Sequence, residues 1–297
     1  IQGHDVALFS GGNLNNSGTL RASHNLSLTA SNIGNSGLMQ ASERVSLLAT
    51  GSIRNTQGGL INGKDVSAIA LTGDIINERS ITQEARSGRG FSQLTSVVDK
   101  SAGIEASNNL TLSAGRDIQN IGGSLKAGGD ATLSAERDLV IASAAAENGS
   151  MRKDKRHFWE KTSTAQYGSD VQVGGDLDVK ASNDITVVAS TIKAGGDIDF
   201  EAGNDVTIAS AANGSSSEYR YKGNGKKINK EDSTVRQQAS IIEARGDLDI
   251  TADNNLIVSA SQLKAGDEAY LYAGDQLALL SAEDSDYSLY DMKKKGS

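Results

Sequence analysis

The chain has 297 residues, with 33 Gly, no Pro, no Cys, only 12 aromatic residues and a net charge of −8. Without cysteine there are no disulfides, thiolate metal sites or cysteine nucleophiles, and an acidic balance disfavours nucleic acid, whose phosphates need a basic surface. Average usage would give about 15 prolines, so their absence predicts a chain built almost wholly of strands, where a missing N–H breaks the hydrogen-bond ladder. No apolar run approaches the ~20 residues of a membrane-spanning helix. Residue 1 falls inside a repeat with no signal peptide ahead of it, which reads as a fragment of a longer protein.

Over residues 1–124, short alternating strands are followed by a distinctive turn: Leu14-Asn15-Asn16-Ser17-Gly18, Ile33-Gly34-Asn35-Ser36-Gly37, Ile53-Arg54-Asn55-Thr56-Gln57-Gly58 and Ile118-Gln119-Asn120-Ile121-Gly122. Asn tolerates the left-handed region and bonds its own backbone, and Gly supplies positive φ, so both suit a tight corner. The segment Gln40–Leu47 is matched by Glu105–Leu112, so one unit is repeating.

From about residue 125 that turn disappears, while the repeating unit itself continues and shows its clearest copies. The copies are Lys126-Ala127-Gly128-Gly129-Asp130, Gln172-Val173-Gly174-Gly175-Asp176, Lys193-Ala194-Gly195-Gly196-Asp197, Glu243-Ala244-Arg245-Gly246-Asp247 and Lys264-Ala265-Gly266-Asp267. Intervals of 21 separate positions 106 and 127, 173 and 194, and 244 and 265; the longer intervals from 63 to 106, 127 to 173 and 194 to 244 read as two units plus an insertion. Within a unit, Asp176–Ala181 is echoed by Asp184–Ala189, apolar and polar residues alternating as in strands with one buried face. Two or three short strands in each coil of about 20 residues describe a parallel β-solenoid with Val, Ile and Leu stacked inside. About a dozen coils stacked at roughly 4.8 Å would make a rod of roughly 60 Å.

Excursions break the coil at 82–103, 144–170 and 211–239, and a fourth begins near 283. The spacings of 67 from Ser143 to Ser210 and 71 from Ser210 to Ser281 indicate a longer module of coils plus one excursion. The first three excursions carry a net charge of +5 against −13 for the remainder, and hold six of the twelve aromatics. They are expected to project as hairpins or loops from one side of the rod. Their basic and aromatic residues are the candidate binding surface: Arg152, Lys153, Lys155, Arg156, Phe158, Trp159, Tyr219, Tyr221, Lys226 and Lys227. Exposed Arg and aromatic residues are enriched at interfaces, so contact with lipopolysaccharide, a membrane surface or a partner protein is one reading. The other is a solvated hairpin whose aromatics pack on the rod's flank.

The recurring Asp130, Asp176, Asp197, Asp247 and Asp267 admit two readings, calcium held between coils or corners closed by carboxylates that accept backbone N–H bonds. The Gly-Gly-x-Gly-x-Asp nonapeptide of calcium-binding β-rolls is absent. Acids recurring in every coil lack the single irregular cluster that catalysis needs, and no nucleophile–base set stands out. The expectation is therefore no enzyme, no cofactor, no metal and no nucleic-acid partner.

The Gly-Gly-Asp-Leu/Ile units and Ala202-Gly203-Asn204-Asp205-Val206-Thr207-Ile208 resemble the repeats of filamentous haemagglutinin-like exoproteins, exported by two-partner secretion. The Ile-x-Asn-x-Gly turns of 1–124 look like that family's first repeat class. The units of 125–297, with their insertions, look like the second class, shared with the CdiA-type proteins of contact-dependent growth inhibition. The resemblance implies a right-handed parallel β-helix on an outer-membrane-tethered, secreted cell-surface fibre, with an outer-membrane transporter as export partner. It further implies support for toxin delivery across a target cell's outer membrane; the alternative is a rod segment of an adhesin that binds a surface receptor. Exposed strand edges at either end of such a segment predict self-association.

Overall fold

The computed structural model describes residues 1–294, and among these every regular element is a β-strand. Thirty strands form three parallel sheets of ten, and each turn of chain contributes one strand to each sheet in sequence, as in Leu38–Ala41, Arg44–Ala49 and Ile53–Asn55. This is the expected right-handed parallel β-helix. It has ten coils rather than a dozen, because nearly a third of the chain lies outside the rod. Ten coils at a strand spacing of about 4.8 Å span roughly 43 Å.

Alternation within each strand determines what lies inside. The second sheet carries three inward columns, one of which runs Leu26, Val45, Val66, Leu110, Ala131, Leu177, Ile198 and Leu248 through successive coils. Each member is at most 2% exposed, and burying a Leu or Ile side chain stabilises by about 1.5–3 kcal/mol. A parallel column, Ala30, Ala49, Ala70, Ala114, Ala135, Ala181, Ala202 and Ala252, closes the second sheet, just before the coil bends into the third. No coil could cover its own apolar face, so neighbours share the core.

Pairing register corrects the reading of the long intervals. Gly63 pairs with Ala106, Ala127 with Val173 and Ala194 with Ala244. Each pair joins adjacent coils, so every long interval is one coil plus one excursion, not two units plus an insertion.

The excursions are three antiparallel hairpins and one further strand, all leaving the rod where the third sheet hands over to the first. The hairpins comprise Ile81–Gly88 with Phe91–Val98, Ala144–Lys153 with His157–Tyr167, and Ala211–Gly223 with Lys226–Gln238; the last strand is Ser285–Lys294. They follow the fourth, sixth, eighth and tenth coils. They are not separate projections, because each hydrogen-bonds to the next in one seven-stranded antiparallel sheet. The geometry is commensurate: two coils advance about 9.6 Å along the rod, and a hairpin's two strands occupy the same about 9.6 Å. The result is a continuous fin along the rod, whose longest strands, 13 residues each, reach roughly 44 Å at 3.4 Å per residue.

Candidate functional site

The fin's chemistry follows from its register, since directly paired residues share one face of a sheet. Phe91 pairs with Arg152, Arg152 with Trp159, Trp159 with Tyr219, Tyr219 with Lys230 and Lys230 with Tyr290. One row of rings and cations therefore crosses six strands at a single level. Phe91, Trp159 and Tyr290 are 44%, 41% and 58% exposed, and the Lys230 ammonium lies 5.1 Å from the centre of the Tyr290 ring. One step outward on the same face, His157 stacks on Trp159 at 4.9 Å between centroids and sits 5.0 Å from Tyr221. His157, Trp159, Tyr219 and Tyr221 pack on one another at the crest rather than on the rod's flank, while Tyr167 sits at the fin's base under the Arg79 guanidinium at 5.2 Å.

On the opposite face Lys153 pairs with Phe158, whose ring lies 4.3 Å from the Arg220 guanidinium. Beyond them Lys222 pairs with Lys227, and Lys227 with Lys293. Together with Lys155 and Arg156 these line a trough of about 590 Å³ whose only acids are Asp154 and Asp291. Asp154 accepts the backbone N–H groups of Arg156 and His157, both at 2.7 Å, which hold its carboxyl below its ordinary pKa. That acid is committed to closing the hairpin turn. Lys226 begins the returning strand of the third hairpin, directly after its turn.

The ten candidate residues thus occupy one crest but not one face. Arg152, Trp159, Tyr219 and Tyr221 lie on the aromatic side, Lys153, Phe158 and Lys227 on the basic side, and Lys155, Arg156 and Lys226 at the tips. The ten candidates leave out Phe91, His157, Arg220 and Lys230, which the sequence shows among the aromatic and basic residues of the excursions, and also Tyr290; the roles of all five depend on which hairpin pairs with which. Sequence reasoning missed the turn of the third hairpin, where Asn224 and Gly225 have φ of 47° and 68°. Asn-Gly between alternating strands is the signature of a type I′ hairpin.

Nearer the rod, on the face of the aromatic row, runs a polar row of Gln93, Ser150, Lys161, Ser217, Asp232 and Ser288. Small residues on either side leave a groove of about 560 Å³ across the middle of the fin.

The aspartate ladder of the rod closes corners. Asp130 Oδ1 accepts the backbone N–H of Asp176 at 3.0 Å, Asp176 that of Asp197 at 2.8 Å, and Asp197 that of Asp247 at 2.8 Å. The next in line is Glu268, whose N–H bonds Asp247 at 2.9 Å; Asp267 stands one place out of register, opposite Gly246. The Gly-Gly corners do not depend on positive φ either. A Cβ on Gly174 would lie 2.1 Å from the carbonyl oxygen of Gly128, so glycine is required there by the close approach of successive coils.

In the first five coils the Asn residues of the early turns have negative φ, apart from their neighbours Gln57, Gly58 and Gly122. Asn16, Asn35, Asn55, Asn77 and Asn120 instead form a buried ladder, each Nδ2 donating to the next Oδ1 at 2.7–2.9 Å. The expected bonds to their own backbone are present as well, for instance Gly18 N–H to Asn16 Oδ1 at 3.2 Å. From the seventh coil a buried serine ladder, Ser169, Ser190 and Ser240, takes over that corner.

Among the described residues, one group of three presents histidine and carboxylate atoms close enough together to hold a metal: His4, Asp5 and His24, all exposed. His24 Nδ1 lies 2.8 Å from Asp5 Oδ1, and the two imidazoles stack at 5.0 Å. A spacing of 20 residues, one coil, brings the two histidines together.

A family model described as hemagglutinin repeat matches residues 84–157, 149–228 and 219–296, and a second haemagglutinin-repeat model matches residues 2–79. The chain is 32% identical over 236 residues to a protein named Deoxyribonuclease CdiA from Dickeya dadantii, an alignment covering 78% of this chain. It spans about 7% of that protein's length. No solved structure gives a significant match.

Proposed function

Because the chain belongs to the haemagglutinin-repeat family and forms a repeat segment of its stalk, we propose that it comes from a contact-dependent growth inhibition effector and helps deliver a toxin across a target cell's outer membrane. In this reading the whole protein is exported by an outer-membrane two-partner transporter and stays tethered to the producing cell. Residues 1–124 serve as stalk, and residues 125–297 act at the target surface. The chain contributes structure and contact, with no catalysis of its own. The observation that carries the reading is the likeness to a CdiA protein along 78% of the chain. The fin supports it physically. A bare rod offers one surface, whereas hairpins fused into a second sheet give a basic, aromatic crest held away from an acidic shaft.

The test is a co-culture assay with the full-length exoprotein lacking residues 125–297, after surface display has been verified. Adhesion to target cells and inhibition of their growth are scored separately. Delivery predicts that adhesion persists while inhibition is lost. Loss of adhesion itself would overturn the reading in favour of an adhesive rod.

A further inference from the structure

We propose that the aromatic face of the fin binds an acidic glycan chain lying parallel to the rod, with sugar rings stacked on Trp159, Tyr219 and Tyr290 and its anionic groups held by Arg152, Lys161 and Lys230. The proposal rests on the reading of the fin as the surface that meets a target cell, and it names the chemistry that surface recognises.

Three observations carry it. The row from Phe91 to Tyr290 sets rings and cations side by side at one level; Phe91, Trp159 and Tyr290 are exposed and Tyr219 is half-buried between them. Five steps between strands at about 4.8 Å make the row roughly 24 Å long, a platform for several consecutive sugars. Two residues nearer the rod on the same face lies the polar row, whose Ser150, Ser217 and Ser288 hydroxyls and Gln93 amide both donate and accept, and which flanks the groove of about 560 Å³. Finally, the hairpins are net positive while the rest of the chain is net negative, so a polyanion is attracted to the fin and repelled by the shaft.

The same features weigh against other occupants. A bilayer would require a contiguous apolar face, and Arg152 and Lys230 interrupt the rings. A protein interface also uses aromatics and Arg but is depleted of Lys, Asp and Ser at its centre, whereas the groove beside the row is lined mostly by Ser, Thr and Asn together with Lys161 and Asp232. Nucleic acid would bring phosphates against Asp232. A glycan instead offers hydroxyl donors that this carboxylate can accept.

Trp159 is the only tryptophan in the chain, so its fluorescence reports directly on the row. The 297-residue chain is titrated with oligomers of polygalacturonate, hyaluronan and phosphorylated lipopolysaccharide core, with neutral dextran and with single-stranded DNA. At least one acidic glycan is expected to shift Trp159 emission and to bind at least tenfold more tightly than dextran and more tightly than DNA. Tyr219→Ala and Arg152→Ala, each with an unchanged β-type circular dichroism spectrum, are expected to weaken that binding about tenfold. The proposal is overturned if no acidic glycan binds, if both variants bind as the parent does, or if DNA binds best. Because binding is measured on the isolated chain, failure here leaves the co-culture result standing, and failure there leaves this result standing.

Discussion

Asn120 faces Ile141 across the step from the fifth coil to the sixth, and at that pair the buried amide ladder stops. Below it, each Asn side chain satisfies its neighbours; above it, the same inward position is apolar, as in Ile141, Val187, Ile208 and Val258. The two halves of the rod therefore depend on different chemistry at one corner.

Asn55 is fully buried, and its Nδ2 donates to Gly59 O, Asn77 Oδ1 and Gly103 O, each at 2.9 Å. Asn55→Ala removes these three bonds and the Oδ1 that accepts Asn35 Nδ2, interrupting the buried ladder, and is expected to destabilise the rod by about 3 kcal/mol. Urea denaturation followed by circular dichroism measures the loss; a change under 1 kcal/mol, as for an ordinary surface substitution, would contradict a structural role for the ladder.

Gly174→Ala is expected to cost about 2 kcal/mol, because its Cβ would meet backbone atoms of the preceding coil that cannot give way. The neighbouring Gln172→Ala, on the exposed face of its strand, serves as control and is expected to be neutral. Equal stability of the two variants would refute the close-approach argument.

Asp74 and Asp117 are clasped by the guanidinium forks of Arg116 and Arg137, which hold both carboxyls below their ordinary value of 3.8. A carboxyl depressed in the fold contributes stability that is complete above its unfolded value and lost as pH falls through the folded one. Stability is thus expected to decline below about pH 4. Asp117→Asn should lower stability at pH 7 and flatten that decline, both visible in thermal melts across pH; an unaltered acid limb would count against the clasp.

On the rod's outer face Asp178, Asp199 and Asp249 stand in adjacent coils. Desolvation, then repulsion from Asp178 and Asp249, raises the Asp199 carboxyl above 3.8. Here the sign is reversed: the ionised form is penalised in the fold, fully so above the raised value and not at all below 3.8. Asp199→Asn is therefore expected to raise the melting temperature at pH 7 by about 1–2 °C, a small gain because water screens these exposed groups. The gain should vanish near pH 3, and a gain that persisted there would assign it to another cause.

Replacing residues 145–166 with a short turn is expected to leave the rod folded, since Ala127 and Val173 pair within the coils. It would split the fin and leave the outer hairpins with unpaired edges. Size-exclusion chromatography should show the variant associating more strongly than the parent at equal concentration; equal association would mean that the new edges are protected by other means.

The rod is largely legible in the sequence because burial imposes a period of two within strands and stacking imposes a period of about 20 between coils, and both leave marks on a single chain. Ala127 and Ala194 announce themselves as equivalent through their flanking residues alone. Pairing between segments with no shared motif leaves no such mark. Arg152 and Trp159 are visible as a basic and an aromatic residue, but nothing in their own segment places Phe91 on one side of them and Tyr219 on the other. The Asn residues of the early turns do mark corners, though not through the left-handed backbone that turn chemistry suggests, because an inward amide ladder and a left-handed turn favour the same residue. Asn224-Gly225, by contrast, is a local signal that can be read in isolation.

The match between two coils and one hairpin restricts how such a fibre can change its length. Inserting a single coil between hairpins would move the next pair of strands one spacing too far to hydrogen-bond, and losing a coil would force them to collide. Growth or loss without a seam in the fin must proceed in whole blocks, the interval of 67 to 71 residues between Ser143, Ser210 and Ser281. Length is therefore quantised, and a half-block duplication should be recognisable as a gap where the fin divides.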